Sequence, residues 1–178
     1  VQARLKDVNL AIANPFAPGL GLGGMASGSL DFTQASSDAF PSADMRFQID
    51  DFTRTSLAAV SEPVDIALVG RLVPTGGNAS ALIKRRGAAI GRAQVKQDPL
   101  DAGAGSWTTR LFAAPLSGGV RYNGPADVLF SLAALPDQSL KGAVGVAADF
   151  SGRMSAPQLT GVVRANNLVY ENAVYGTR

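Results

Sequence analysis

Asp50 and Asp51 stand side by side, and neighbouring carboxylates can act as an acid–base pair or hold a divalent metal. Here they end an alternating apolar–polar run, which favours a solvated turn. Asp98, Asp101 and Asp127 lie close to proline or glycine and are typical of turns. The chain has no histidine and no cysteine, which removes Ser-His-Asp triads, the commonest metal ligand and thiol chemistry. The sequence therefore predicts no enzyme and no bound cofactor or metal.

A glycine-rich run, GLGLGG at residues 19–24, resembles a phosphate-binding loop only in composition. Such a loop requires a preceding parallel strand and a following helix whose N-terminus holds the phosphate. The residues after it, 25–32, alternate like a strand instead. We interpret the run as a connection between strands.

Basic residues cluster at 84–86 and recur at Arg92 and Lys96. A solvated edge or turn that blocks edge pairing accounts for them. The alternative is a contact with phosphate headgroups or an acidic partner. No aromatic residue interleaves with them between 79 and 99, and the net charge is only +2, so a nucleic-acid partner is not expected.

Composition indicates which elements position these residues. Hydrophobic residues make up 46% of the 178-residue chain and charged residues 17%, against about 25% charged in typical soluble domains. Twenty glycines and ten prolines interrupt the chain too often for long helices. Apolar residues recur at every second position, which is the period of a half-buried strand. Strands are predicted near residues 2–13, 25–34, 42–52, 63–73, 79–85, 88–97, 108–113, 118–123, 126–135, 140–150, 157–165 and 167–175.

The connections are predicted from the same pattern. A break in alternation at Lys6 and Asp7 indicates a β-bulge, and residues 53–61 are predicted to make a helical turn. Residues 98–106 and 133–139 are predicted as a flexible turn and a proline-containing corner. Because alternation is already under way at residue 1, we expect the chain, residues 1–178, to be a single β-segment of a longer protein.

Two stretches resemble a known family. Residues 142–178 contain GRMSAPQLTG between two alternating strands, followed by NLVYEN and YGTR, and residues 115–132 read PLSGGVRYNGPADVLFSL. In order and spacing they resemble the C-terminal region of the TamB family, the translocation and assembly module subunits of Gram-negative envelopes, in the AsmA-like, bridge-like lipid transfer superfamily. The resemblance covers residues 60–178.

The resemblance implies an all-β fold, in which a long curled antiparallel sheet forms an open β-taco groove with an apolar interior. It implies a periplasmic location, in a protein anchored in the inner membrane. The implied function is to shield phospholipid acyl chains in transit between membranes, to assist assembly of outer-membrane β-barrel proteins, or both. The implied partners are an acyl lipid, a TamA-like outer-membrane barrel protein and adjoining β-rungs of the same protein.

Branched and aromatic residues that alternate in the predicted strands are the expected groove lining. These residues are Leu30, Phe32, Met45, Phe47, Ile49, Val64, Ile66, Leu68, Val128, Phe130, Leu132, Val144, Val146, Leu159 and Val163. The alternative is a closed β-sandwich that serves as a scaffold or adhesion module, with the same side chains in a dry core and no lipid ligand. The two differ in whether a second sheet covers the apolar faces.

Overall fold

The fold is an open antiparallel sheet, seen in a computed structural model that describes residues 1–16, 21–36, 39–55, 60–99, 106–132 and 138–172. Within these residues all nine strands belong to one sheet, and each pairs with its neighbours in the sequence. The first and last strands are the sheet edges and do not pair with each other, so the sheet is not closed. The predicted all-β class and antiparallel pairing are confirmed.

Strand bounds follow the predicted pattern closely through the first half of the chain. The strands are β1 Gln2–Asn9, β2 Leu22–Thr33, β3 Ser42–Arg54, β4 Val64–Val73, β5 Gly76–Arg85, β6 Ala88–Gln97, β7 Pro115–Pro125, β8 Gln138–Arg153 and β9 Ala156–Asn172. A 3-10 helix, Leu10–Ala13, follows β1, and two α-helices, α1 Trp107–Ala113 and α2 Ala126–Leu132, flank β7.

The strand register gives the sheet one apolar and one polar face. Residues directly opposite each other on paired antiparallel strands point to the same side. One row runs Phe47–Leu68–Ala81–Ala93–Val120–Ala148 across β3 to β8. The adjacent row on the other side runs Arg46–Val69–Ser80–Gln94–Gly119–Asp149. We call these two sides the apolar face and the polar face.

β-Bulges keep the apolar face in phase along the strands. Asp7 has φ +49° where the β1–β2 register shifts. The Ser27 hydroxyl accepts a hydrogen bond from the Asp7 backbone N–H and donates one to the Asp7 carboxylate. The bulge predicted at Lys6 and Asp7 is therefore confirmed. Asp51, with φ +50°, is an extra residue in β3, and it returns Phe52 to the side occupied by Ile49. Aspartate accepts this left-handed conformation more readily than most residues.

The sheet curls around α2. This helix follows β7 and contacts β7, β8 and β3. In a flat sheet β3 and β7 would lie about 19 Å apart, at roughly 4.8 Å per strand. The buried core joins Phe52 and Ile66 from one half of the sheet with Tyr122 and Val144 from the other, through Val128 of α2. The apolar face is therefore the inner side of the curl at this end.

The strand predicted at residues 108–113 is wrong, because this segment is helix α1. Ser106 caps the helix, since its hydroxyl accepts a hydrogen bond from the backbone N–H of Thr109 at 3.3 Å. Trp107 and Leu111 then stand one helical turn apart.

The strand predicted at residues 126–135 is also wrong, because residues 126–132 form α2 and residues 133–135 lie outside the described part. Pro125 ends β7, and Asp127 lies in the first turn of the helix, where a negative charge is favourable. Val128 and Leu132 are four residues apart and both join the core. Periodicity alone does not separate a short apolar run in a helix from one in a strand.

The remaining differences concern connections. The end of the strand predicted at 2–13 is the 3-10 helix Leu10–Ala13, capped by the side chain of Asn9. The strands predicted at 157–165 and 167–175 are one strand, β9, up to Asn172; residues 173–175 lie outside the described part. Of the helical turn predicted at 53–61, residues 53 and 54 are strand, and 56–59 lie outside the described part. Most of the connections at 98–106 and 133–139 also lie outside it.

No helix in the described ranges is long and apolar enough to cross a membrane.

Candidate apolar groove

The residues predicted to line a groove fall into two structural groups. Those predicted on strands all lie on the apolar face, as the register requires. These are Leu30, Phe32, Met45, Phe47, Ile49, Val64, Ile66, Leu68, Val144, Val146, Leu159 and Val163. Their role in lining a groove stays a prediction.

Val128, Phe130 and Leu132 belong to α2 instead of to a strand. Val128 is completely buried, and Leu132 packs against the core from its rim. These two side chains therefore help to cover one end of the apolar face.

Side-chain size changes across the apolar face. Its central strands, β5 and β6, contribute mostly small residues, with Ile83 and Val95 as the larger ones. We call the small residues the middle strip: Ala79, Ala81, Gly91 and Ala93. Large residues occupy both sides, with Phe47 and Leu68 on β3 and β4 and with Phe150 on β8. The register therefore places small side chains between large ones on this face. Sequence reasoning did not select the middle strip, although its small residues already alternate within the predicted strands.

Two phenylalanines lie flat over glycines on the neighbouring strand. Phe47 is directly opposite Gly28, and a Cβ atom added to that glycine would lie 2.5 Å from the ring. Phe150 is opposite Gly118, with the same 2.5 Å spacing. A larger residue at either glycine would push the ring away from the sheet. These pairs keep the apolar face continuous over β2–β3 and β7–β8.

At the α2 end the apolar face is sealed by a packed core with a polar rim. The Tyr122 hydroxyl donates a hydrogen bond to the Pro125 carbonyl at 2.6 Å. Burial raises the pKa of Tyr122 to about 12, and the negative charge of Asp127 adds to the rise. Arg85 forms an ion pair with Glu62 beside this core.

At the opposite end α1 lies against the sheet. Gln97, in the outermost row of the apolar face, donates a hydrogen bond from Nε2 to the Leu111 carbonyl of α1 at 2.8 Å. Trp107 meets Phe40 edge to face, with ring centroids 6.2 Å apart. Phe40 precedes β3 and Trp107 begins α1, so this contact joins segments that flank different strands of the sheet. The two helices thus lie at opposite ends of the strands.

The apolar face is no longer covered by other residues at Leu159 and Val163 of β9. Leu159 is 72% exposed and Val163 is 67% exposed, although both point to the apolar side. Among the described residues, the apolar side of β9 is therefore not covered by a second layer at these positions.

Among the described residues no three side chains of metal-ligating type come together. No family model, no curated protein and no solved structure matches this chain.

Proposed function

We propose that the apolar face is the wall of an open groove that binds the acyl chains of lipids. The observation that carries this is the size distribution on the face: a middle strip of small residues between flanks of large apolar ones, with a helix at each end. A linear hydrocarbon chain fits such a strip along the strand direction. No polar side chain interrupts the four residues of the middle strip.

Burial of apolar surface supplies the binding free energy. Each methylene removed from water contributes about 0.8 kcal/mol, and the effect has no preferred direction. A chain can therefore slide along the strip without crossing a large barrier at any one residue. The headgroup would remain in water at the opening. No single side chain is essential in this mechanism, and none acts as a catalyst.

The resemblance to the TamB family supports a proposal for where in the cell the groove acts. We propose that the chain is a periplasmic part of a TamB-like envelope protein anchored in the inner membrane. There it shields phospholipid in transit to the outer membrane, assists assembly of outer-membrane β-barrel proteins, or both. Its partners would be an acyl lipid, adjoining β-rungs and, through the full-length chain, a TamA-like barrel protein.

The alternative, a sandwich with a dry core, needs a second sheet about 10 Å from the first. All nine described strands belong to a single sheet, and the apolar residues of β9 face solvent. Both facts favour the groove. An unfolded apolar strand would use the same face as an acyl chain, so the test must identify the ligand chemically.

The test is lipid extraction and native mass spectrometry of the protein purified from bacterial cells. We expect bound phospholipid in the wild type. Ala93→Trp fills the middle strip and should remove most of it, while Ala67→Trp, at an exposed polar-face position on β4, should retain it. Equal lipid content in the two variants, or no lipid in the wild type, would contradict the proposal.

A further inference from the structure

The polar face carries a concavity that its own side chains line for the most part. A groove of about 1140 Å³ crosses β4 to β8 on this side. Its basic residues are Arg71, Arg92, Lys96 and Arg121, and its acidic residues are Asp98 and Asp149. The predicted basic cluster thus divides: Arg92 and Lys96 line this groove, Arg86 lies in the β5–β6 turn, and Arg85 pairs with Glu62.

Three of the four groove cations have a carboxylate partner. Arg121 is held by both oxygens of Asp149, at 2.8 and 3.0 Å, and its other terminal nitrogen donates to the Ala148 carbonyl at 2.8 Å. Arg71 lies 3.8 Å from Asp44, and Lys96 lies 3.9 Å from Asp98.

Arg92 has no ion pair among the described residues. The residues directly opposite it are Leu82 on β5 and Arg121 on β7. Its diagonal neighbours in the groove, Ser80 and Gly119, are uncharged. Asp149 balances the charge of Arg121, so Arg92 carries the groove charge that no described carboxylate balances. An anion beside Arg92 would balance it.

The surroundings of Arg92 suit a small oxyanion. Gly119 carries no side chain, and a Cβ atom there would lie 2.6 Å from Asp149 Oδ1 and 3.2 Å from Arg121 Nη1. The fixed Arg121–Asp149 pair therefore fills that position and forms one side of the groove beside Arg92. Ser80 and Gln94 supply neutral hydrogen-bonding groups at the same level of the sheet. Guanidinium groups bind phosphate through parallel hydrogen bonds.

We propose that the polar-face groove binds a phosphate ester, with Arg92 as the group that contacts the phosphate. Lys96 lies four residues further along β6, about 13 Å away at 3.3 Å per residue, which leaves room for the esterified polyol. The site lies on the opposite side of the sheet from the apolar face, so it does not depend on lipid binding there. The phosphate could come from a soluble ester or from a lipid headgroup.

The test uses glycerol 3-phosphate as the soluble probe and phosphatidylglycerol vesicles as the membrane probe, at constant ionic strength. Backbone amide shifts of β5–β7 report the soluble arm, and vesicle co-sedimentation reports the other. Arg92→Gln should weaken binding at least tenfold. Arg46→Gln removes the same charge from the polar face outside the groove and should change binding less than twofold.

A second pair of variants keeps Arg92 in place. Leu82→Glu puts a carboxylate directly opposite Arg92 and should weaken binding at least tenfold, as Arg92→Gln does, while Leu82→Gln should leave it unchanged. Arg92-dependent binding of glycerol 3-phosphate supports the proposal with a soluble source, and Arg92-dependent binding confined to vesicles supports it with a headgroup. If neither arm depends on Arg92, the proposal is overturned.

Discussion

Ile66 and Val163 lie in the same cross-strand row of the apolar face, yet their environments are opposite. Ile66 is 8% exposed and belongs to the core around α2, while Val163 on β9 is 67% exposed. The same residue class on the same side of one sheet is therefore structural core at one end of the row and open surface at the other. What decides the role is coverage by α2.

The largest expected effect is a difference in stability loss between charged substitutions at Ile66 and at Val163. Ile66→Asp places a carboxylate in the α2 core and should lower the free energy of unfolding by about 3–5 kcal/mol, from lost packing and desolvation of the charge. Val163→Asp should lower it by less than about 1 kcal/mol, because the site is already in water. Urea denaturation followed by circular dichroism measures both. Similar losses would mean that β9 is also part of a packed core.

A second expected effect is specific to the covered end and appears at high pH. Because the folded pKa of Tyr122 is about 12 against 10.0 for a free tyrosine, its contribution to stability is complete below pH 10. It falls as pH rises from 10 to 12, since the unfolded chain ionises first; the loss reaches about 3 kcal/mol. Tyr122→Phe should remove this part of the pH dependence. Parallel stability curves for wild type and variant between pH 9 and 12 would contradict it.

How much the sequence predicts follows from the same contrast. Period-two alternation places Phe47, Ile66 and Val163 on one face correctly, because the side-chain direction along a strand is a local property. It does not separate buried Ile66 from half-buried Phe47, because the difference comes from α2. That helix was itself predicted as a strand, since a seven-residue apolar segment carries too little periodicity.

The candidate groove was predictable in its flanks and not in its centre. Large residues such as Met45 and Leu68 are natural candidates for the lining, because burial of each side chain contributes about 1.5–3 kcal/mol of free energy. The middle strip depends on the absence of side-chain volume at Ala81 and Ala93, and this has meaning only once the register places them opposite each other. The cation Arg92 stands out for the same reason, since only strand pairing places it opposite Arg121.

The two edge strands of the sheet, β1 and β9, also differ, and the expected effect on stability is smaller. β1 has eight residues, carries Arg4 and Lys6 and contains a bulge, features that discourage further pairing. β9 has 17 residues and exposes apolar side chains. Unpaired backbone groups at either edge can pair with another strand, and these features make β9 the edge more prone to self-association.

We expect concentration-dependent self-association through β9, measurable by sedimentation velocity. Leu159→Lys with Val163→Lys should shift the monomer–dimer midpoint at least tenfold upwards in concentration. Leu5→Lys, at an exposed apolar-face position on β1, is the matched control and should shift it little. A strict monomer with amides protected from exchange along the free edge of β9 would contradict an open-ended sheet.

The most direct test of the lipid-binding account is photo-crosslinking at two residues on opposite faces of the sheet. A benzophenone amino acid at Ala81 points into the middle strip, and the same amino acid at Ala67 on β4 points to the polar face outside its groove. In cells, position 81 should give a phospholipid adduct detected by mass spectrometry, and position 67 should give none. Equal adducts at both positions, or none at position 81 in a folded protein, would contradict the account.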